Sequence, residues 1–324
     1  MSKQLSMQAQ VGQAVHRAAI ELPRDVEVGD AFRLIALACL RHLTLNEAAL
    51  AAGDTEGVHQ MRVATRRLRA AISLFRRLFA ERESEPVKAG LRWLTEQLGP
   101  LRDYDVLIEE SLQSSAVSVS NEAAFAKLTE ALRQRRSQKL AHAQSAIASE
   151  RYRELVSNTT RWVLGGPWTT DPDPRLQRRR RQRLLPRAKK ELQRRTKRAQ
   201  KRLRALADLP PEQRHELRIE IKKLHYGVQF FAGLFPNHER RREKFLRHLQ
   251  RLQDRLGELN DARVHQALAQ ELLDAPAPND PALDGDEALA LGLLQNHESA
   301  QTGRLVLGAK RDGQKLANLP AFWR

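Results

Sequence analysis

Apolar and polar positions along this 324-residue chain recur with the period of an α-helix. Between Val58 and Phe79 the apolar residues form one stripe at about 100° per residue, which is the pattern of a helix with one buried face. An adjoining arc of the same predicted helix is basic. The stripe is Met61, Leu68, Ile72, Phe75 and Phe79, and the arc is His59, Arg62, Arg66, Arg69 and Arg76. The pattern predicts a core-facing helix with a cationic side.

A second stretch, from His215 to Phe235, repeats this layout. Its stripe is Leu217, Ile221, Leu224, Val228, Phe231 and Phe235, and its basic arc is His215, Arg218, Lys222 and His225. His59 and His215 are 156 residues apart (215 − 59), and LGPLRDYDV at Leu98 matches LGELNDARV at Leu256, 158 residues later (256 − 98). Two markers with nearly equal offsets predict a duplicated unit of about four helices. Such a pair of bundles can direct both basic arcs to one groove.

The remaining segments also have helical spacing, and none shows the sustained alternation of a β-strand. We therefore predict an all-α fold. Gly165-Gly166-Pro167 and the following TTDPDP segment divide the chain into halves at about 26–165 and 175–324, with a linker at 165–175, after an N-terminal tail at 1–25. The predicted helices include Asp30 to Ala52, Pro86 to Leu98, about Glu122 to Val163, and about Arg240 to Leu256.

The charge of the chain indicates its class of partner. Lys and Arg number 56 against 39 Asp and Glu, which gives +17 and a pI near 10.7. Residues 175–204 hold sixteen basic residues and one acid, so this block supplies fifteen of the seventeen charges. An apolar helical stripe runs through the block, which favours a folded helix over a disordered tail. The excess predicts a polyanionic partner: nucleic acid, an anionic membrane or a phosphate polymer.

Several functional classes are disfavoured by what the sequence lacks. The one cysteine, Cys39, lies in an apolar run, which excludes an intramolecular disulfide and predicts a small core residue. No run approaches the ~18 apolar residues of a membrane span, so we expect no membrane insertion and a cytoplasmic protein. We find no nucleotide-binding loop, nucleophile elbow or HExxH motif, and no histidine has a partner set for a metal. We assign the acids Asp103, Asp105 and Asp261 a structural role, as caps or as partners of the central arginines.

The basic arcs have the chemistry of a phosphate-binding surface. Arginine donates two hydrogen bonds to a phosphate from a planar fork, and histidine and lysine add single donors. Spacings of i, i+3, i+7 and i+10 place these donors in a row that rises about 15 Å along a helix. Such a row can follow several consecutive phosphates.

With these motifs, HQMRVATRRLRAAISLF with LGPLRDYDV, and HELRIEIKKLHYGVQFF with LGELNDARV, the chain resembles the two halves of the CHAD family, from about Asp30 to Arg324. The resemblance implies two four-helix-bundle halves related by pseudo-twofold symmetry around a basic central groove. It also implies non-catalytic binding of inorganic polyphosphate, in association with polyphosphate granules. On this basis we expect no enzymatic activity, no cofactor and no metal.

Carried over by position, the resemblance implies a ligand-facing set. Its members are His59, Arg62, Arg66 and Arg69 in the first half and His215, Arg218 and Lys222 in the second. Arg67 and Lys223 lie beside the arcs, and Arg198 and Arg202 are expected to contribute from the preceding helix. His225 stands where the family usually has an arginine, which predicts a weaker phosphate contact there.

Two other functions compete with polyphosphate binding. A general polyanion- or nucleic-acid-binding protein fits the charge, but aromatic residues are only 5% and lie mostly on apolar stripes, which disfavours base readout. A metal-dependent phosphohydrolase would use the histidines and is disfavoured because the sequence shows no ligand set.

Overall fold

The structure, a computed structural model, describes residues 12–117, 121–206, 209–274 and 282–324. Across these ranges the regular secondary structure is helical and no β-strand forms, which confirms the predicted all-α fold. The pseudo-twofold relation of the halves stays a prediction. The α-helices are α1 (Val28–Thr44), α2 (Glu47–Ala51), α3 (Thr55–Leu74), α4 (Glu81–Val117), α5 (Glu122–Ala148), α6 (Glu150–Gly165), α7 (Pro174–Arg181), α8 (Leu184–Arg204), α9 (Pro211–Phe230), α10 (Glu239–Asp274) and α11 (Gly285–Ala317).

The helices pack into two compact units. The first unit contains the described part of Met1–Ile20 together with Val28–Arg102 and Lys139–Gln182. The second contains Glu21–Glu27, Asp103–Gln138 and Arg183–Arg324. Each unit is built from separate stretches of chain, whereas the predicted halves at 26–165 and 175–324 are contiguous. The predicted division therefore describes the sequence repeat rather than these packing units.

The core of the first unit is built on α1 and on the apolar stripe of α3. Phe32 of α1 is fully buried and its ring centroid lies 5.3–5.6 Å from those of four other aromatic residues, namely Phe75, Phe79, Trp162 and Trp168. Residues Val28–Ala51 have the length and composition of a membrane-crossing helix. The most apolar part of this stretch has a mean hydropathy of 1.3, and half of it is buried inside the protein. Contrary to our expectation, one segment does reach this length, but the aromatic packing of Phe32 accounts for its apolar character as a core helix.

The N-terminus of α3 is fixed by a cap and by a close helix contact. Asp54 is the N-cap of α3 and accepts a hydrogen bond from the Glu56 amide at 3.0 Å. The preceding Gly53 has φ +79°, a left-handed conformation that glycine adopts without strain. One turn into α3, a Cβ on Gly57 would lie 2.5 Å from Cβ of Ala49 in α2. The two helices meet at a distance that only glycine permits.

The core of the second unit is built on the stripe of α9. The predicted residues Leu217, Ile221, Leu224 and Val228 are each fully buried. A second aromatic group lies further along the chain, where the ring centroids of Phe245, Phe322 and Trp323 are 4.8–5.8 Å apart. As predicted, the basic block is folded, into α7 and the amphipathic α8.

Several predicted helix boundaries are wrong. Helix α4 continues through Pro100, because Leu98 and Leu101 on either side are fully buried and their packing outweighs the hydrogen bond that proline removes. For the same reason α10 runs unbroken past Gly257. The predicted helix from Glu122 to Val163 is two helices, because Ser149 caps α6 through a hydrogen bond from the Tyr152 amide.

The described part of the N-terminal segment is not helical but is held in place. In the first unit, the Val15 amide donates to Asn46 Oδ1 at 2.9 Å, and the Val15 carbonyl accepts from Asn46 Nδ2 at 3.0 Å. The Ala14 amide donates to Asp54 Oδ2 at 3.1 Å. These bonds hold residues 14 and 15 against the turn between α1 and α2 and against the N-cap of α3. Residues 1–11 of the predicted tail lie outside the described residues.

Candidate functional site

A group of basic side chains lies between α3 and α4 in the first unit. We define the first basic cluster as His59, Arg62 and Arg66 of α3 with Arg102 of α4. A Cβ on Gly99 of α4 would lie 3.4 Å from Arg62 Nη1, so the guanidinium lies against this turn of α4. The Nε of Arg66 is buried and has no hydrogen-bond partner among the described residues. The sequence analysis identified the three α3 residues and missed Arg102.

The pKa of His59 depends on its burial and on the charges of the neighbouring arginines. Partial burial lowers the pKa, and the positive charges of Arg102, Arg66 and Arg62 lower it further, to about 4, while Glu56 opposes them. His59 is therefore neutral at pH 7. Burial and the neighbouring arginines both keep it neutral, so the positive charge of the cluster is carried by the three arginines.

Arg69 extends the basic row along α3. Its side chain is exposed, and the pKa of its guanidinium is lowered by desolvation and by the charge of Arg92, while Glu96 raises it. Arg92 and Arg102 are ten residues apart on α4, which is the spacing of His59 and Arg69 on α3. The signal for Arg102 was its position in the repeated LGPLRDYDV segment, but only packing reveals which α3 residues it joins.

Arg67 does not lie with the first basic cluster. It is 4% exposed and forms a hydrogen bond with the Cys39 thiol, and its charge also lowers the pKa of His42. Burial raises the pKa of Cys39 to about 11 in spite of Arg67, which is the behaviour expected of an unreactive core thiol. Arg67 has a structural place against α1. The prediction that it contacts the ligand finds no geometric support.

The equivalent arc of α9 lies in the second unit. We define the second basic cluster as His215, Arg218 and Lys222. His215 Nδ1 lies 2.6 Å from Asn260 Oδ1 of α10, and Arg218 Nη2 lies 3.9 Å from Asp261 Oδ1. Asn260 stands at the repeat position of Arg102. In each unit, therefore, the marker segment lies beside the central helix, with an arginine next to the histidine in the first unit and an asparagine in the second.

Glutamates on α9 engage the two arginines predicted from α8. Arg198 Nε lies 2.6 Å from Glu220 Oε1, and Arg202 Nη2 lies 3.0 Å from Glu216 Oε2. Arg202 Nη1 is also 3.6 Å from Glu220. The corresponding positions of α3 are Gln60 and Ala64, which carry no charge. The second basic cluster thus has more acidic neighbours than the first.

Two further predicted residues differ in accessibility. Lys223 is half-buried, like Lys222. His225 is 7% exposed, and its Nε2 lies 2.6 Å from Nε2 of Gln229 one turn later. At the corresponding position of α3, Arg69 is exposed. The second half therefore presents a buried imidazole where the first presents an accessible guanidinium.

The acids of the marker segments have structural partners. Asp105 is buried and accepts a 2.6 Å hydrogen bond from Arg136 Nε of α5, while Asp261 neighbours Arg218. Asp261 thus lies beside a central-helix arginine, as expected for a structural acid. Asp105 holds an arginine of α5 instead.

A group that the sequence analysis missed lies elsewhere in the second unit. Glu110 of α4, His265 of α10 and Glu298 of α11 place one ligand atom each within 4.8 Å of the others. Burial lowers the pKa of His265, but the hydrogen bonds with both glutamates outweigh it and raise the pKa to about 9. A cavity of about 690 Å³ is lined by both glutamates, and one of about 380 Å³ by Glu298 and His215. Sequence separation hid this group, since no two of its members share a helix.

The basic clusters give the chain the chemistry of an anion-binding protein, and comparison with known proteins gives its family. The sequence model of the CHAD domain matches residues 34–270. The chain belongs to the CHAD family. A crystal structure of the CHAD domain from the plant Ricinus communis agrees with the structure at a TM-score of 0.78 and 28% identity, covering 95% of this chain and 98% of that one. No curated protein matches the chain.

A second solved structure, PptA from Streptomyces chartreusis, matches at a TM-score of 0.61 and 18% identity, covering 89% of this chain and all of PptA. At this identity the match shows the fold alone. The prediction that the chain is not an enzyme is wrong as drawn, because it was inferred from a fold-level resemblance, and a shared fold such as that with PptA does not decide whether a protein is catalytic. The sequence analysis also disfavoured a metal-dependent phosphohydrolase because it found no ligand set. Glu110, His265 and Glu298 are three side chains that could hold a metal ion.

Proposed function

We propose that this protein binds inorganic polyphosphate through the basic clusters of α3 and α9. The observation that carries the proposal is the grouping of Arg62, Arg66 and Arg102 around His59, whose pKa is lowered first by burial and then by these three positive charges. A chain of phosphates offers closely spaced anionic oxygens, which suits arginines placed one helical turn apart.

Membership of the CHAD family supports the same ligand class, since the resemblance implies a polyphosphate-binding domain. The competing general polyanion binder would use the whole basic surface, including the exposed arginines of α7. The proposed site depends instead on a few residues of α3 and α4. Location at cytoplasmic polyphosphate granules is part of the proposal, and co-sedimentation of the protein with isolated granules tests it.

The deciding experiment compares two double variants of equal charge. Arg62→Ala with Arg66→Ala removes two guanidiniums of the first basic cluster. Arg76→Ala with Arg77→Ala removes two exposed ones just after α3. At about 1.4 kcal/mol per charge-assisted contact, the first pair weakens polyphosphate binding about 100-fold in calorimetry at fixed salt, and the second has a small effect. Equal losses in both pairs, with folding intact, would refute a localised site.

A further inference from the structure

Three metal-ligating side chains from three helices of the second unit converge on one point. His265 Nδ1 lies 2.7 Å from Glu298 Oε1 and 2.8 Å from Glu110 Oε2. The His265 side chain is 2% exposed, that of Glu298 14%, and that of Glu110 34%, so the group runs from the core to the wall of a cavity.

Hydrogen bonding by the protein leaves this group only partly satisfied. A histidine nitrogen carries at most one proton, so Nδ1 can donate one well-aligned hydrogen bond, and two carboxylates compete for it. Glu298 Oε1 and Glu110 Oε2 both lie within hydrogen-bonding distance of this nitrogen, and the two carboxyl groups are close enough to share a proton. Two carboxylates facing each other would also repel unless a cation or a proton stood between them.

We propose that Glu110, His265 and Glu298 bind a divalent first-row transition cation such as Zn²⁺. Imidazole nitrogen and carboxylate oxygen are ligands that such cations accept, at about 2.0–2.2 Å. Tetrahedral ligands at that distance are roughly 3.3 to 3.6 Å apart, so each carboxylate oxygen must move away from His265 Nδ1 by less than about 1 Å. The cation takes the place of the protons that otherwise bridge the three side chains.

The surroundings leave room for the rest of a coordination shell. Both glutamates line the cavity of about 690 Å³, whose wall also carries Glu258 and His297. This space admits water or an anionic oxygen at the open coordination positions and gives the cation a path of entry. Three protein ligands with an open position are the pattern of a zinc site that can exchange a ligand. This site does not depend on polyphosphate binding.

The test is calorimetric titration of the full chain with ZnCl₂, without polyphosphate, after removal of bound metal with a chelator. The wild-type protein should bind one Zn²⁺ at a high-affinity site. Glu298→Gln and Glu110→Gln each remove one ligand but keep the size of the side chain and a group that can hydrogen-bond to His265. Each should weaken the site at least about 100-fold, since even partners outside the ligand set alter metal affinity 10- to 100-fold.

The matched control is Glu258→Gln, which removes the same charge from the same cavity outside the three ligands. It should leave zinc affinity within a few-fold of wild type. The melting temperature gives a second readout, because a cation that binds the folded state should raise it in the wild type and not in Glu298→Gln. Absence of a stoichiometric site in the wild type, or its persistence in both ligand variants, overturns the proposal. Polyphosphate affinity measured separately distinguishes this failure from a failure of the proposed function.

Discussion

At the scale of single residues, similar side chains have different roles because their burial differs. Arg66 and Arg67 are neighbours in sequence, yet one belongs to the first basic cluster and the other packs against Cys39. His59 and His225 both lie on predicted basic arcs. The pKa of His59 is lowered by burial and by three arginines, whereas His225 is buried beside Gln229.

His59 gives a prediction about pH. Its pKa is about 4 in the free protein, and a bound polyanion raises this pKa by neutralising the surrounding arginines. Binding therefore takes up protons, and polyphosphate affinity should rise as pH falls from 7 towards 4. Calorimetry in buffers of different ionisation enthalpy measures the uptake. His59→Gln should remove it, and His142→Gln, a change at an exposed histidine of α5, should not. Uptake that persists without His59 would contradict the assignment.

At the scale of helices, α3 and α9 have the same pattern of apolar and basic residues but differ in how many acidic side chains lie near their basic arcs. Each has an apolar stripe in a core and a basic arc beside a marker segment. Around α9, Asp261 lies near Arg218, and Glu216 and Glu220 engage the arginines of α8. Acidic neighbours reduce the charge that is available to an anion, so the two arcs are not equivalent binding surfaces.

The two arcs can be compared by matched double variants. Arg62→Ala with Arg66→Ala should weaken polyphosphate binding more than Arg218→Ala with Lys222→Ala, by about tenfold, because Asp261 already offsets part of the charge of Arg218. Dissociation constants at one salt concentration, with circular dichroism to verify folding, test this. A larger loss from the α9 pair would contradict the ranking.

The contact of α2 with α3 gives a prediction about stability. Gly57→Ala places a methyl group 2.5 Å from Ala49 Cβ and 3.0 Å from the Ala49 carbonyl carbon, so the helices must separate. The free energy of unfolding should fall by about 1–3 kcal/mol, as measured by urea denaturation. The control is Gly257→Ala in α10, where a Cβ meets nothing within 4 Å and helix propensity predicts a gain of roughly 0.5–1 kcal/mol. If Gly57→Ala left the free energy of unfolding unchanged, α2 would be able to move away from α3 at no cost, and the prediction would be wrong.

At the scale of the whole molecule, net charge and specific binding are separate properties. The charge of +17 favours association with any polyanion, and most of it comes from the block at 175–204, which forms α7 and α8. The clusters proposed to bind polyphosphate hold five of the 56 basic residues, and all five lie outside that block. A charged surface alone would not distinguish a phosphate polymer from RNA.

Competition at equal phosphate content separates the two contributions. Unlabelled polyphosphate should displace bound, labelled polyphosphate at least about tenfold more effectively than single-stranded RNA or duplex DNA does. Each cluster offers hydrogen-bond donors for phosphate but no aromatic side chains on which bases could stack. Affinity for all three polymers should fall with salt, with a log–log slope of about 0.7 to 0.9 per phosphate contact. Equal competition by RNA would make the chain a general polyanion binder.

The sequence by itself determined the helices, their apolar stripes and the basic arcs, because helical periodicity is a local property that a few turns of chain display. It also paired the marker segments with α3 and α9. It misplaced the helix ends at Pro100 and Gly257, because buried leucines in distant contact outweighed the local breakers.

Only the tertiary structure decided which charges meet. Arg102 joins His59, Arg67 and His225 turn inward, and glutamates of α9 hold Arg198 and Arg202. The group of Glu110, His265 and Glu298 is the extreme case, since its members come from three helices. Electrostatic environment depends on distance and burial in space, and neither quantity is contained in the spacing of residues along a helix.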